Sequence, residues 1–199
     1  MPPPTTSSRR PLRERKKLRA RELIVETAYQ LFDRHGFALV TVPDIVDAAE
    51  VSRSTFFRYF GDKQEVVFAD AQQLRDALVA EARATPAPSP HHLREALEQL
   101  RDLTVGAYQL AGTSPRSELH EQLIDANPEL MDRHIRKLMG FADDMTALLI
   151  TRGAEPGTAR LAGHLAIACC LAARGGTVPG DMAAAVSKRF DEVIRLNAR

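Results

Sequence analysis

Three residues suited to start a helix, Thr41, Ser52 and Asp62, stand only ten or eleven positions apart in this chain. An oxygen-bearing side chain at each start covers backbone amides that have no partner inside the helix. Closely spaced starts confine the helices between them to about two turns. Thr41-Val42-Pro43-Asp44 reads as a capping box, with proline in the first turn, where its missing N–H costs nothing. The helix that follows, about 42–49, shows Ile45, Val46 and Ala49 on one side, and Glu50-Val51 turns the chain. Ser52 caps a third helix, about 53–60. Upstream, Ile24, Ala28, Leu31 and Phe32 mark one face of a first helix from about Leu12 to His35. Gly36 closes it in a left-handed conformation, with Phe37 folding back on Phe32. The first sixty residues are thereby expected to form three packed helices, the last two a helix-turn-helix pair.

The rest of the chain continues the helical pattern. Among 199 residues, 51 are Ala or Leu against 19 Val or Ile, which favours helix over strand. A long fourth helix is predicted from Asp62 to about Ala84, with Val67, Ala71, Leu74 and Leu78 on one face. Thr85 to Pro90 carries three prolines and is read as a loop. A fifth helix to about Gly112 is striped by Leu93, Leu97, Leu100, Leu103, Ala107 and Leu110, and a sixth runs from Arg116 to about Ala126. Met131, Ile135, Leu138, Ala142, Met145 and Leu149 form the seam of a seventh, from Pro128 to Arg152. Two more, about 156–174 and 181–197, flank a glycine-rich joint over 175–180. The expected fold class is all-α, of about nine helices. Its parts are a disordered basic arm over 1–11, a three-helix domain with the helix-turn-helix over 12–61, and a larger helical domain over 62–199.

Charge is distributed unevenly. Eight Lys or Arg and a single Glu within residues 1–21 give that stretch +7, although the whole chain carries +1. A basic arm on an acidic body points to a polyanion met at the amino end, or to a solvated tail. The longest apolar run, Leu165 to Ala173, has nine residues, about half of a membrane span. No signal peptide is read, and Cys169-Cys170 make no disulfide framework, so a cytoplasmic protein is expected. His120-Glu121 is not followed by a second His at 124, where Ile stands, and the zinc-protease motif is rejected. Phosphate-cradling glycine loops and a nucleophile elbow are lacking as well. Neither catalysis nor a cofactor or metal is expected.

The third helix divides into two faces. Phe56, Phe57 and Phe60 are assigned to the core, leaving Arg53, Ser54, Arg58 and Tyr59 outward. Lys63 stands in the first turn of the next helix, where a cation is disfavoured unless an anion is near. Three segments, Leu31 to Phe37, Thr41 to Ile45 and Ala48 to Arg53, lead into Thr55-Phe-Phe-Arg-Tyr-Phe-Gly-Asp-Lys63. In residue order and spacing they resemble the TetR family of bacterial transcriptional regulators. The resemblance covers about residues 13–68, and it implies that 12–61 is a DNA-binding domain and 62–199 a ligand-binding and dimerisation domain. It implies a homodimer on a palindromic operator, repression of neighbouring genes and release by a small-molecule effector. Transferred position by position, it implies phosphate contact at Thr41, base contact at Arg53, Ser54 and Thr55, base or phosphate contact at Arg58 and Tyr59, and a backbone contact at Lys63. Two positions depart from the family pattern: Glu50 replaces a frequent Gly in the turn, and Phe57 replaces a frequent Tyr, which favours a packing role for that ring.

In the body, Tyr108, His120, Leu123, Met131, His134, Leu138 and Met139 offer an apolar pocket with a few polar groups, ordinary bundle core being the other reading. The last two helices offer a dimer surface. Leu161, Ala162, Leu165, Ala166, Ala168, Cys169 and Ala172 contribute from one, and Met182, Val186, Phe190, Val193 and Ile194 from the other. Double-stranded DNA, an effector and a second copy are thus the expected partners, with no membrane. The fourth helix is the expected lever between effector and DNA. Two alternatives stay open: a ligand-independent DNA-binding protein, and an enzyme with a helical substrate pocket.

Overall fold

The computed structural model describes residues 12–112, 116–174 and 182–196, and among them it contains ten α-helices and no strand. The basic arm expected over 1–11 and the joint expected over 175–180 lie outside the described residues. The chain divides into two compact units between Val67 and Phe68.

The amino-terminal unit holds α1 (Leu12–His35), α2 (Val42–Ala48), α3 (Arg53–Tyr59) and α4 (Lys63–Val67). Ile24, Val25, Ala28, Tyr29 and Phe32 of α1 are buried against Ile45, Val46 and Ala49, and against Phe56 and Phe60. Gly36 adopts φ +78°, its N–H donates to the Phe32 carbonyl at 2.9 Å, and the Phe32 and Phe37 rings lie 5.1 Å apart. The helix end therefore forms as its residues predict.

The predicted long fourth helix is two helices, which brings the total to ten. Val66 and Val67 are buried within the amino-terminal unit, and the Tyr29 hydroxyl donates to the Val67 carbonyl at 2.8 Å. The chain turns at Phe68, with φ −92° and ψ 4°, and α5 (Ala69–Ala84) begins afresh. The boundary expected at 61/62 accordingly falls six residues later. The break also resets the apolar face: Ala71 is exposed, and Ala69, Leu78, Val79 and Ala82 are the buried positions of α5.

The second unit continues with α6 (Leu93–Gly112), α7 (Ser117–Ala126), α8 (Pro128–Thr151), α9 (Pro156–Arg174) and α10 (Met182–Leu196). Leu97, Leu100, Ala142, Met145, Ile167, Val186 and Phe190 lie at the centre of its core. The proline-rich loop after α5 is tied down by Arg152, which donates to the Ala82 carbonyl at 2.7 Å and to Gln99 Oε1 at 2.8 Å, while Gln99 donates to the Pro88 carbonyl at 2.9 Å.

Three apolar patterns shift. In α8 the buried set is Leu130, Phe141, Ala142, Met145, Leu148 and Leu149, with Ile135 exposed. A seam repeating every 3.5 residues drifts around a 3.6-residue helix by about 20° per heptad, enough to carry Ile135 outward two heptads before Leu149. In α6 the stripe ends before Leu110, which is also exposed. In the last two helices the correction is larger. Val186, Phe190 and Ile194 of α10, with Ala162, Ala166 and Cys169 of α9, are buried inside the subunit's own core. They are not free to form a dimer surface. Leu161, His164, Ala168 and Ala172 remain exposed along α9.

Helices α8 and α9 approach closely at Gly163. A Cβ there would stand 2.7 Å from Thr146 Oγ1 and 2.8 Å from the Ala142 carbonyl oxygen. The carbonyl belongs to a helix and cannot retreat alone. Gly163→Ala is expected to destabilise the protein by about 1–3 kcal/mol, read as a lower midpoint in urea unfolding; an unchanged midpoint would show that the two helices can separate freely.

Candidate nucleic-acid interface

The α2–turn–α3 unit is held by two caps. Thr41 Oγ1 donates to Asp44 Oδ2 at 2.6 Å and accepts from the Asp44 N–H at 3.4 Å, and the Thr41 N–H donates to the same carboxylate at 2.8 Å. These bonds, the side-chain one foremost, hold the Asp44 carboxyl below its ordinary pKa. Ser52 Oγ accepts from the Thr55 N–H at 3.1 Å and lies 2.9 Å from the hydroxyls of Ser54 and Thr55.

On α3, Phe56 and Phe60 are buried at 0% and 4% exposure, whereas Phe57 is 55% exposed. The packing role expected of Phe57 is corrected by helical geometry: positions 56 and 60 share a face, and 57 lies about 100° round the helix from 56. The outer face consists of Arg53, Ser54, Phe57 and Arg58. Thr55 is half-buried. Tyr59 is half-buried too, with the Arg58 guanidinium 5.2 Å from its ring centre, and its hydroxyl is enclosed without a hydrogen-bond partner among the described residues.

Lys63 is placed differently from the resemblance. Its ammonium donates to the carbonyls of Phe37 at 2.8 Å, Val40 at 2.9 Å and Ala38 at 3.4 Å, and lies 4.4 Å from the Phe37 ring centre. All three of its N–H donors have acceptors within the unit. The lysine thus fastens the segment leading into the Thr41 cap, and this arrangement leaves no donor for a phosphate.

Glu50, in the turn, has φ +51°. A side chain in the left-handed region strains the backbone by about 1–2 kcal/mol, which glycine avoids. Glu50→Gly is expected to raise stability by about 0.5–1 kcal/mol, after the unfolded-state entropy of glycine is counted. A fall in melting temperature would show that the carboxylate holds the turn in place.

In the second unit, some of the residues predicted for a pocket converge. The ring of Phe68 stacks on His134 at 6.2 Å and meets His120 edge-on at 5.9 Å. Arg174 binds Glu121 and also Asp125, the latter at 2.6 Å. Burial opposes the Arg174 charge, and these carboxylates outweigh it. Tyr108 sits beside Cys170, and burial holds its hydroxyl well above the ordinary pKa. Leu123 is buried nearby in sequence, Leu138 packs on the core rim, Met131 is half-buried, and Met139 is 39% exposed, outside the pocket set expected for it. His134 Nε2, Arg174 Nε and Thr104 Oγ1 are enclosed without partners among the described residues. Sequence reasoning missed Phe68, Thr104 and Arg174. The Arg174 partners lie 53 and 49 residues away, beyond any local pattern. Burial pushes the Cys169 thiol up to about 11 and that of Cys170 to about 12, so neither becomes a reactive thiolate near neutral pH. Among the described residues no group of three or more His, Cys, Asp or Glu could hold a metal ion. Nor is any helix among them long and apolar enough to cross a membrane.

Burial, then the charge of Arg174, presses the His134 pKa down to about 3. The unfolded chain takes that proton near pH 6.5 and the folded one only near 3, so stability present above 6.5 is lost progressively on acidification. His134→Leu is expected to flatten the fall in melting temperature between pH 6.5 and 5; an unchanged slope would assign the acid sensitivity to other groups.

Comparison with known proteins agrees with this geometry. Residues 24–69 match the profile of the bacterial regulatory proteins, tetR family. The HTH-type transcriptional regulator TcmR of Streptomyces glaucescens is 37% identical over 76 residues, which cover 38% of this chain and 34% of that protein. The probable acrEF/envCD operon repressor of Escherichia coli K12 is 26% identical over 132 residues, 62% of this chain and 57% of the relative. The alignments therefore span from a third to just over half of these curated relatives. Among solved structures, SmeT, the repressor of the Stenotrophomonas maltophilia multidrug efflux pump SmeDEF, superposes with a TM-score of 0.58 at 18% identity, over 88% of this chain and 89% of that one. That likeness establishes a shared all-helical fold. The match over residues 24–69 falls on the capped helix-turn-helix, so the amino-terminal unit is similar to that of the tetR family of bacterial regulatory proteins.

Proposed function

We propose that the protein is a homodimeric transcriptional repressor that binds a palindromic operator through α3 and leaves it when a small molecule enters the helical body. The observation that carries this reading is the division of α3, with two rings sunk in the core and Arg53, Ser54, Phe57 and Arg58 presented outward at its capped end. Recognition helices meet base edges with their first residues. Arg53 and Arg58 are the residues to engage guanine, each bidentate contact being worth about 1–3 kcal/mol of discrimination. Ser54 and Thr55 serve as positioning contacts to phosphate or base. Thr41, whose hydroxyl and N–H both donate to Asp44, and Lys63 act indirectly by shaping the start of α2, and Tyr59, its hydroxyl enclosed, acts through its ring beneath Arg58. Such a protein is a regulator and not an enzyme, and it would act in the cytoplasm, where its DNA is.

A two-fold dimer suits an inverted repeat, since it sets its recognition helices about 34–36 Å apart. The face of α9 bearing Leu161, His164, Ala168 and Ala172 is the surface assigned to the partner, with the outer side of α10 beside it. For the effector, the cluster that holds Tyr108, His120, His134 and Arg174 contains two enclosed atoms, His134 Nε2 and Arg174 Nε, with no hydrogen-bond partner among the described residues. A ligand that completes them in one conformation only would shift the protein towards that conformation. The SmeT repressor acts on a multidrug efflux pump, and the named Escherichia coli relative on an operon of the acrEF/envCD kind, which supports repression as the sense of regulation.

Selection of bound fragments from a random DNA pool tests the proposal. An inverted repeat with guanine in each half-site is the expected product. Recovery of no preferred sequence, or of a single unrepeated site, would overturn it.

A further inference from the structure

We propose that Phe57 reads the 5-methyl group of a thymine in each half of the operator, by direct apolar contact in the major groove. The inference rests on the DNA-binding reading above and adds a determinant of sequence to it.

Phe57 is the one large apolar side chain on the outer face of α3, between Arg53 one turn before it and Arg58. Its ring is 55% exposed. Water around an aromatic ring is unfavourable, and nothing among the described residues covers it. The ring is also held in place: the Phe56 ring, itself fully buried, meets it edge-on at 5.4 Å with an interplanar angle of 84°. A braced ring loses little freedom when it docks.

Chemistry narrows what it can dock on. Phenylalanine has no hydroxyl and gives nothing to a phosphate or to the hydrogen-bonding edge of a base. The major-groove edges of guanine, cytosine and adenine are polar, and thymine alone presents a methyl group there. A ring at this position therefore favours thymine over cytosine and fixes the orientation of an A·T pair. Arg53 on the same side of the helix remains free to take a neighbouring guanine. One buried methyl is worth about a fourfold difference in affinity.

The test uses the full chain and the operator recovered by selection. Each thymine is replaced singly, in both half-sites, by deoxyuridine, which removes only the methyl group, and binding is followed by fluorescence anisotropy at constant salt. The expected result is a loss of about threefold to fivefold at one position per half-site. Phe57→Ala is expected to bind the thymine and uracil duplexes equally at that position, and Phe57→Leu to retain part of the preference. If no replacement weakens the natural protein by as much as about twofold, or if Phe57→Ala keeps the preference, the inference is overturned while the DNA-binding reading stands. If selection returns no preferred sequence, both fail. Because the ring is exposed, Phe57→Ala is expected to melt with the natural protein; should it not fold, the uracil series on the natural protein still decides.

Discussion

Two rings four residues apart, Phe56 and Phe60, determine which way α3 faces, and the DNA-binding reading depends on that direction. Seven residues are too few for a helix to persist in water by propensity alone. It is the burial of these rings against α1 that makes α3 a fixed object. Once they are sunk, geometry leaves positions 53, 54, 57 and 58 no direction but outward. The same step exposes Phe57, so an apolar contact is carried on the face that bears the arginines.

Around this element the unit stores order in short-range contacts. The caps of Thr41 and Ser52 begin α2 and α3, and Lys63 closes the segment before Thr41 by satisfying three carbonyls. Such a cation earns its place without any phosphate, because carbonyls of residues 37, 38 and 40 have no helix to receive them. Glu50 works in the opposite sense. Its left-handed backbone is a local strain, tolerated where the connection between two helices admits no longer path.

The second unit combines a tightly packed apolar centre with a polar cluster that is incompletely bonded. Arg174 is neutralised twice over, yet its Nε and the Nε2 of His134 find no acceptor or donor among the described residues. Enclosed polar atoms of this kind cost stability and are uncommon in finished cores. Their gathering beside Tyr108 and the Phe68 ring is what distinguishes this region from the rest of the bundle. On α9 and α10 the apolar residues fill the subunit itself, which leaves a narrower strip for a partner than their number suggests.

Much of this was legible in the residues. Caps, helix ends and the proline-rich loop are written in side chains that act on backbone groups three or four positions away, and such short-range chemistry survives in one dimension. Helix bounds near 35, 42, 53, 112, 126 and 174 could be read from it. What the tertiary structure alone decided involves partners far apart in the chain. A hydroxyl 38 residues away holds the Val67 carbonyl at the point where α4 ends. Carbonyls on a distant turn absorb the Lys63 charge, and α6 and α9 packed against α10 bury Phe190 where the sequence showed only an apolar stripe. Periodicity says which residues share a face; only packing says what that face meets.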